Sequence, residues 1–145
     1  MLVLLQRVKF AEVVVNQEKI AQIQIGLLAF CAFLPDDTHE KIEKMLHKII
    51  NYRLFSDKAD KMNLSLQEIK GELLLAPQFT LAANTKSGLR PSFSTAAPPE
   101  KGQEFFKFLC QTANSLPVKT AFGQFGADMQ ISLCNNGPVT FMLKN

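Results

Sequence analysis

Apolar residues crowd both ends of the chain in short, dense runs and take up helical spacing at two places between them. Residues 2–8 and 11–16 read as strands. The second alternates only in part, through Val13 and Val15, so it is expected to be buried on both faces. A polar turn at 17–19 leads into a strand over 20–34, with Gly26 marking a bulge or bend. Pro35-Asp36-Asp37-Thr38 stops that strand. Beyond it, Ile42, Met45, Leu46, Ile49 and Ile50 share one face of a helix. Asp37 and Glu40 have capping-box spacing at its start. Glu40, Lys41, Glu43, Lys44 and Lys48 form its outer face, and His39 and His47 read as partly solvated positions on it.

Residues 51–60 are mixed, with a turn at Ser56-Asp57. Strands are expected at 64–69 and 72–75, joined through Lys70-Gly71. Pro77 ends the second, which 78–82 resumes. A polar stretch from 84 to 97 carries Gly88, Arg90-Pro91 and three serines, the length of a functional or mobile loop. Pro98-Pro99 opens a second helix, whose apolar face is Phe105, Phe106, Leu109, Cys110 and Ala113. Leu116-Pro117 closes it. With strands at 118–121, 127–134 and 139–143, the pattern amounts to about seven strands and two helices, a mixed α/β fold with much antiparallel pairing. Without repeat, low-complexity tract or linker, the 145 residues read as one domain over 1–145, long enough to bury a core.

Composition narrows the partners. The chain is 47% hydrophobic and 20% charged, ordinary for a globular protein. Sixteen basic and 13 acidic residues leave a net charge of +3, which permits a polyanionic partner without requiring one. No apolar run is long enough to span a bilayer. The first seven residues lack the early charge and cleavage site of a signal peptide, so the cytoplasm is the expected compartment. Cys31, Cys110 and Cys134 are odd in number, widely spaced and set in apolar runs. They read as buried small hydrophobes, neither a disulfide framework nor a zinc site.

Familiar catalytic groups are scarce. The histidines sit on an outer helix and the cysteines in apolar runs, and Asp128 reads as a turn or cap residue at a strand start. Gly123-Gln124-Phe125-Gly126 lacks the lysine of a phosphate-cradling loop. What remains is backbone. Pro77-Gln78-Phe79-Thr80-Leu81, just past a strand, offers an amide, a hydroxyl and adjacent N–H groups that can form an oxyanion hole; alternatively Thr80 is a plain strand residue and Phe79 core. Asn135-Asn136-Gly137-Pro138-Val139-Thr140-Phe141 sets a Gly-Pro pair between two apolar runs. Glycine reaches angles closed to other residues, and proline admits a cis bond before it. The pair therefore places bare backbone at one fixed point, although Asn-Gly is also a hairpin signal.

These two motifs occur with Gln6-Arg7-Val8, Tyr52-Arg53-Leu54-Phe55, Lys61-Met62-Asn63-Leu64, Gly88-Leu89-Arg90-Pro91-Ser92-Phe93 and Ala127-Asp128-Met129-Gln130. Together, end to end, they resemble the D-aminoacyl-tRNA deacylases. The resemblance implies a barrel-like layered domain and a cofactor-free, metal-free hydrolase of the ester joining a D-amino acid to the 3′-terminal adenosine of tRNA. It implies a homodimer with the active site at the subunit interface. A cis Gly137-Pro138 peptide from one subunit would enter the other's pocket, hold the substrate amino group through its carbonyls, and exclude L side chains. Arg7 would brace this motif across the interface. Glycine has no side chain to reject, so glycine mischarged on tRNA(Ala) is an implied second substrate. Gln78, Phe79 and Thr80 would form the catalytic turn, with the oxyanion held by the Phe79 and Thr80 N–H groups, the ribose 2′-hydroxyl assisting, and the Thr80 hydroxyl positioning.

One departure is Pro77, where the family usually has serine. Relatives that remove L-alanine carry Pro-Gln here, with a trans Gly-Pro, but have alanine after the glutamine and no arginine at position 7. Phe79 and Arg7 therefore favour the D-specific reading. Asn136 replaces a common aspartate and Gly126 a common alanine. Lys86 and Arg90 are the candidate tRNA phosphate contacts. The Lys41, Lys44 and Lys48 stripe is diluted by Glu40 and Glu43 and reads as a solvated face. The alternatives are an L-alanyl-tRNA deacylase variant and a non-catalytic RNA-binding protein of the same fold.

Overall fold

The computed structural model describes residues 1–145. The first strand, β1 (Leu2–Val15), is 14 residues long. Asn16 and Gln17, with φ of 51° and 67°, turn the chain back in a two-residue hairpin. Strand β2 (Glu18–Ile23) pairs antiparallel with the far half of β1, and β3 (Gly26–Ala32) with its near half, so both lie along one edge. The last strand, β8 (Gln130–Lys144), covers the whole of the other edge. The separate strands expected at 2–8 and 11–16 are therefore one, because a single long partner runs beside both. At 9–10 there is only a bulge, where Val8 and Phe10 face Asn135 and Cys134. The single strand expected over 20–34 is instead two, divided at residues 24–25.

Helix α1 (His39–Asn51) buries the five apolar residues that its periodicity predicts. Its cap differs from the expectation. Thr38 is the N-cap, its Oγ1 accepting the Lys41 N–H at 3.3 Å. Asp37 is instead drawn inward, where its carboxylate accepts the Leu34 N–H at 2.7 Å and pairs with the Met1 amine. A small hairpin follows, β4 (Phe55–Ser56) with β5 (Met62–Leu64). The strand expected at 64–69 is a turn. Ser65 N–H donates to Glu68 Oε2 at 2.7 Å and Glu68 N–H donates to Ser65 Oγ at 3.4 Å, a reciprocal pairing that coils the segment.

Strand β6 (Glu72–Pro77) lies parallel to β3, and β7 (Thr120–Phe122) parallel to β6. Gly26 serves this approach rather than a bulge: a Cβ there would lie 1.8 Å from the Glu72 carbonyl oxygen. Helix α2 (Pro99–Ala113) packs beside α1. Because β2 leans over β6 and β7, the six-stranded sheet nearly closes into a barrel. Alternation splits the core in two. Leu27, Leu73 and Leu75 face the helices with Ile42, Leu46, Phe105 and Leu109. Leu28, Leu74 and Ala76 face the barrel interior with Val8, Val13 and Ile23. Burial on both faces explains why β3 and β6 read as continuous apolar runs. No helix is long and apolar enough to cross a membrane.

Candidate active site

Strands β3 and β6 end side by side, with Cys31 opposite Pro77 as their last pair. Sites in sheets of this kind gather beyond the carboxyl ends of parallel strands. Gln78 N–H still donates to the Cys31 carbonyl at 2.7 Å, and the chain then coils into a 3-10 turn, Phe79–Ala82. The expected resumption of strand at 78–82 does not occur. The first N–H groups of such a turn have no acceptor within it. Phe79 and Thr80 donate in no other turn, loop or cap bond, so two adjacent donors are free. The Gln78 amide donates to Thr80 Oγ1 at 2.5 Å. The Phe79 ring, 55% exposed, rests on Phe93 with centroids 4.9 Å apart.

Beside this turn opens a cavity of about 480 Å³. Gln78 and Phe79 border it with the ends of β3 and β6, the start of α2, and the segment 125–129. Two glycines shape its walls. A Cβ on Gly102 would sit 3.2 Å from the Phe125 ring, and one on Gly123 would meet Met129 Sδ at 2.9 Å and Pro77 Cδ at 3.1 Å. Cys31 lines the cavity, but burial pushes its thiol far above the ordinary range. Burial likewise raises the Cys110 thiol to about 11. Neither supplies a thiolate nucleophile near neutral pH. Cys110 and Cys134 are half-buried rather than buried as expected, and all three cysteines are free thiols. Nowhere do three His, Cys, Asp or Glu side chains converge as metal ligands.

The Gly-Pro pair is not a hairpin turn, because β8 continues beside β1 on both sides of it. Gln6 faces Thr140 and Val8 faces Asn135, so Arg7 alone stands opposite residues 136–139. The surplus residues leave the ladder and expose Gly137 and Pro138, joined by a cis peptide. Arg7 Nε donates to the Asn136 carbonyl at 2.8 Å, Nη1 donates to the Leu54 carbonyl at 2.5 Å, and the guanidinium lies 6.0 Å from the Phe55 centroid. The arginine thus grips the motif within its own chain. Val139, buried, anchors the other end.

The expected site residues therefore fall into separate groups. Gln78, Phe79 and Thr80 sit together at the end of β6, and Arg7, Gly137 and Pro138 sit together on the β1–β8 ladder. No member of the second group lines the cavity. Lys86 and Arg90 are exposed on the loop that Gly88 turns with φ of 72°. The residue pattern alone does not mark the 125–129 wall. Asp128 is no cap; it opens onto the cavity with Phe125 and Met129. Its one local signal is the Ala127-Asp128-Met129-Gln130 motif.

A family profile described as D-Tyr-tRNA(Tyr) deacylase matches residues 4–144. D-aminoacyl-tRNA deacylases of Pseudomonas putida strain GB-1 and Pseudoalteromonas translucida strain TAC 125 are 56% and 52% identical to the chain, each over 97% of both sequences. Among solved structures, a c-Myc DNA Unwinding Element Binding Protein superposes with a TM-score of 0.93 at 33% identity, covering 100% of this chain and 99% of that one. A probable eukaryotic D-amino acid tRNA deacylase shares the fold, with a TM-score of 0.85 at 17% identity over 98% and 97% of the two chains. The match spans the turn after β6, the cavity wall and the Arg7–Gly-Pro ladder alike, and on it the chain belongs to the D-aminoacyl-tRNA deacylase family, hydrolases whose substrate is aminoacyl-tRNA.

Proposed function

We propose that the chain, as a single domain over 1–145, works as a cytoplasmic homodimer that removes D-amino acids, and glycine mischarged on tRNA(Ala), while sparing L-aminoacyl-tRNA. The observation that carries this reading is the pair of free N–H groups at Phe79 and Thr80, opening beside an apolar cavity of about 480 Å³. The cavity is within the size range of small-molecule sites, and it takes the 3′-terminal adenosine. The ester carbonyl then lies at the turn. Water, oriented by the ribose 2′-hydroxyl, adds to the carbonyl carbon, and the two N–H groups hold the developing oxyanion. The bond to the ribose 3′-oxygen breaks, and that oxygen leaves with a proton as the tRNA hydroxyl. A single oxyanion donor is worth roughly 10²–10³ in rate, which suits an ester that is already reactive.

Selection falls to Gly137 and Pro138. Their backbone projects from the ladder, held by Arg7, yet stands outside the cavity beside the turn of its own chain. A second copy is the surface it fits, and this supports a site shared between subunits. There the two carbonyls receive the substrate amino group and leave room for a D side chain or a hydrogen only. Lys86 and Arg90 meet tRNA phosphates. Pro77 alone favours the L-alanine variant, and Phe79 and Arg7 oppose it.

The test is deacylation of D-Tyr-tRNA, L-Tyr-tRNA, Gly-tRNA(Ala) and L-Ala-tRNA, with the solution mass measured in parallel. The expected result is a dimer that turns over the D-tyrosyl and glycyl esters only. L-Tyr cleavage at the D rate refutes the chiral filter, and an active monomer refutes the shared site. L-Ala turnover without D-Tyr turnover assigns the L-alanine variant, and no turnover at all assigns an RNA-binding role.

A further inference from the structure

The cavity wall carries one carboxylate. Among the residues that border the cavity, most are apolar, Gln78 is polar but already bonded to Thr80, and Asp128 alone bears a full charge. Its carboxylate accepts no hydrogen bond and pairs with no cation within the chain. Its backbone is nevertheless well placed. Ala127 N–H donates to the Gln124 carbonyl at 3.4 Å, and Met129 Sδ receives the Gln124 N–H at 3.3 Å. Ala127 and Met129 both line the same cavity.

Asp128 is exposed, so water satisfies its carboxylate in the free protein, and the group meets whatever enters the cavity. It repels phosphate and can only accept hydrogen bonds. Where a ligand displaces its water, the carboxylate is satisfied only if the ligand presents a donor. On adenine that donor is the exocyclic N6 amine, and guanine and hypoxanthine put an acceptor, O6, in its place. The ribose carries the ester and must stay with the free N–H groups at 79–80, whereas Asp128 comes from the separate segment 125–129. We infer that Asp128 is a specificity-determining residue that reads the terminal base of the substrate, accepting a hydrogen bond from the adenine N6 amine. This rests on the proposal that the cavity holds the terminal nucleoside.

The experiment compares kcat and KM for D-Tyr-tRNA ending in adenosine, in purine riboside, which lacks the amine, and in inosine. The wild-type protein is expected to lose about ten- to a hundredfold in kcat/KM on purine riboside, mostly through KM, as a bond to a charged acceptor implies. Asp128→Ala should lower the adenosine value by a similar factor and no longer distinguish adenosine from purine riboside. Asp128→Asn, whose amide can donate to O6, should gain on inosine relative to the wild-type protein. Equal wild-type rates on adenosine and purine riboside overturn the inference, as does an Asp128→Ala variant that still discriminates. An Asp128→Ala variant that binds every terminus more tightly by one common factor overturns it too, leaving simple repulsion. Failure of the wild-type protein on the adenosine substrate itself rejects the functional reading instead.

Discussion

Replacing Arg7 by alanine removes the brace on residues 136–139, and the structure sets the size of the effect. Two bonds are lost, from Nε to the Asn136 carbonyl at 2.8 Å and from Nη1 to the Leu54 carbonyl at 2.5 Å. Hydrogen bonds to a charged group contribute about 1.5–3 kcal/mol each. Arg7 is only half-buried, so the lower value applies, giving about 3 kcal/mol for the pair. In a domain of this size that lowers Tm by about 10 °C. Lysine offers one point donor in place of a fork. Arg7→Lys should keep one carbonyl satisfied and lose about half as much. The functional loss should be uneven. Val139 still anchors one end of the segment, so Gly137 and Pro138 stay near their place but wander. Discrimination between D-Tyr-tRNA and L-Tyr-tRNA should fall more than the D rate itself. Thermal unfolding and single-turnover deacylation of both esters give the two readouts. A Tm within about 2 °C of wild type, together with an unchanged D/L ratio, would refute the brace.

Two further outcomes follow from the site and its surroundings. Thr80→Ala should keep the D-Tyr-tRNA rate within about tenfold of wild type, because the hydroxyl contacts only the Gln78 amide and no base; a loss of a thousandfold or more would make it a nucleophile. Asp57 accepts from Asn63 Nδ2 and from the Lys61 and Ala59 N–H groups, which hold its carboxyl below the ordinary 3.8. A lowered folded-state pKa makes this contribution complete above about pH 4 and lost as pH falls through the folded value. The Tm difference between wild type and Asp57→Asn should therefore be constant near neutrality and shrink below about pH 4, and a difference that persists to pH 2 would sink the assignment.

What could be read from the sequence depended on how far away each residue's partner lies. Ile42, Met45, Leu46, Ile49 and Ile50 are legible because a 3.6-residue period and one apolar core fix them locally. Asp37 and Thr38 are adjacent and both suited to capping. Only the folded chain, by bringing Met1 beside Asp37, leaves the cap to Thr38. Residues 64–69 have strand-like composition, but the Ser65–Glu68 exchange is a local signal that composition obscured. The unbroken β1 and β8 could not be read at all, since each is continuous only because the other runs beside it. The cavity is the extreme case. Its walls come from β3, β6, α2 and 125–129, so Asp128, locally a turn residue, becomes a wall only in three dimensions. Arg7 entered through family resemblance alone, for nothing in its neighbours Gln6 and Val8 marks a brace.

Both groups of proposed site residues are made of backbone that the surrounding strands fail to pair. At the end of β6, Pro77 closes the parallel register with Cys31, and the chain coils at once, leaving the Phe79 and Thr80 N–H groups free. On the β1–β8 ladder, one residue faces four, and the surplus backbone is pushed into the open. The turn is anchored by paired strand on its β6 side, and the Gly-Pro segment by paired strand on both sides. A site built this way leaves little trace in side-chain chemistry. Its marks are proline where a ladder must stop, glycine where backbone must be bare, and one arginine where a freed carbonyl needs a donor. That is why a chain whose histidines and cysteines play no catalytic part in this scheme can belong to a hydrolase family. Substitutions that alter the backbone at 77–80 or 136–139 should therefore weigh more heavily on the reaction than loss of any single hydroxyl or amide.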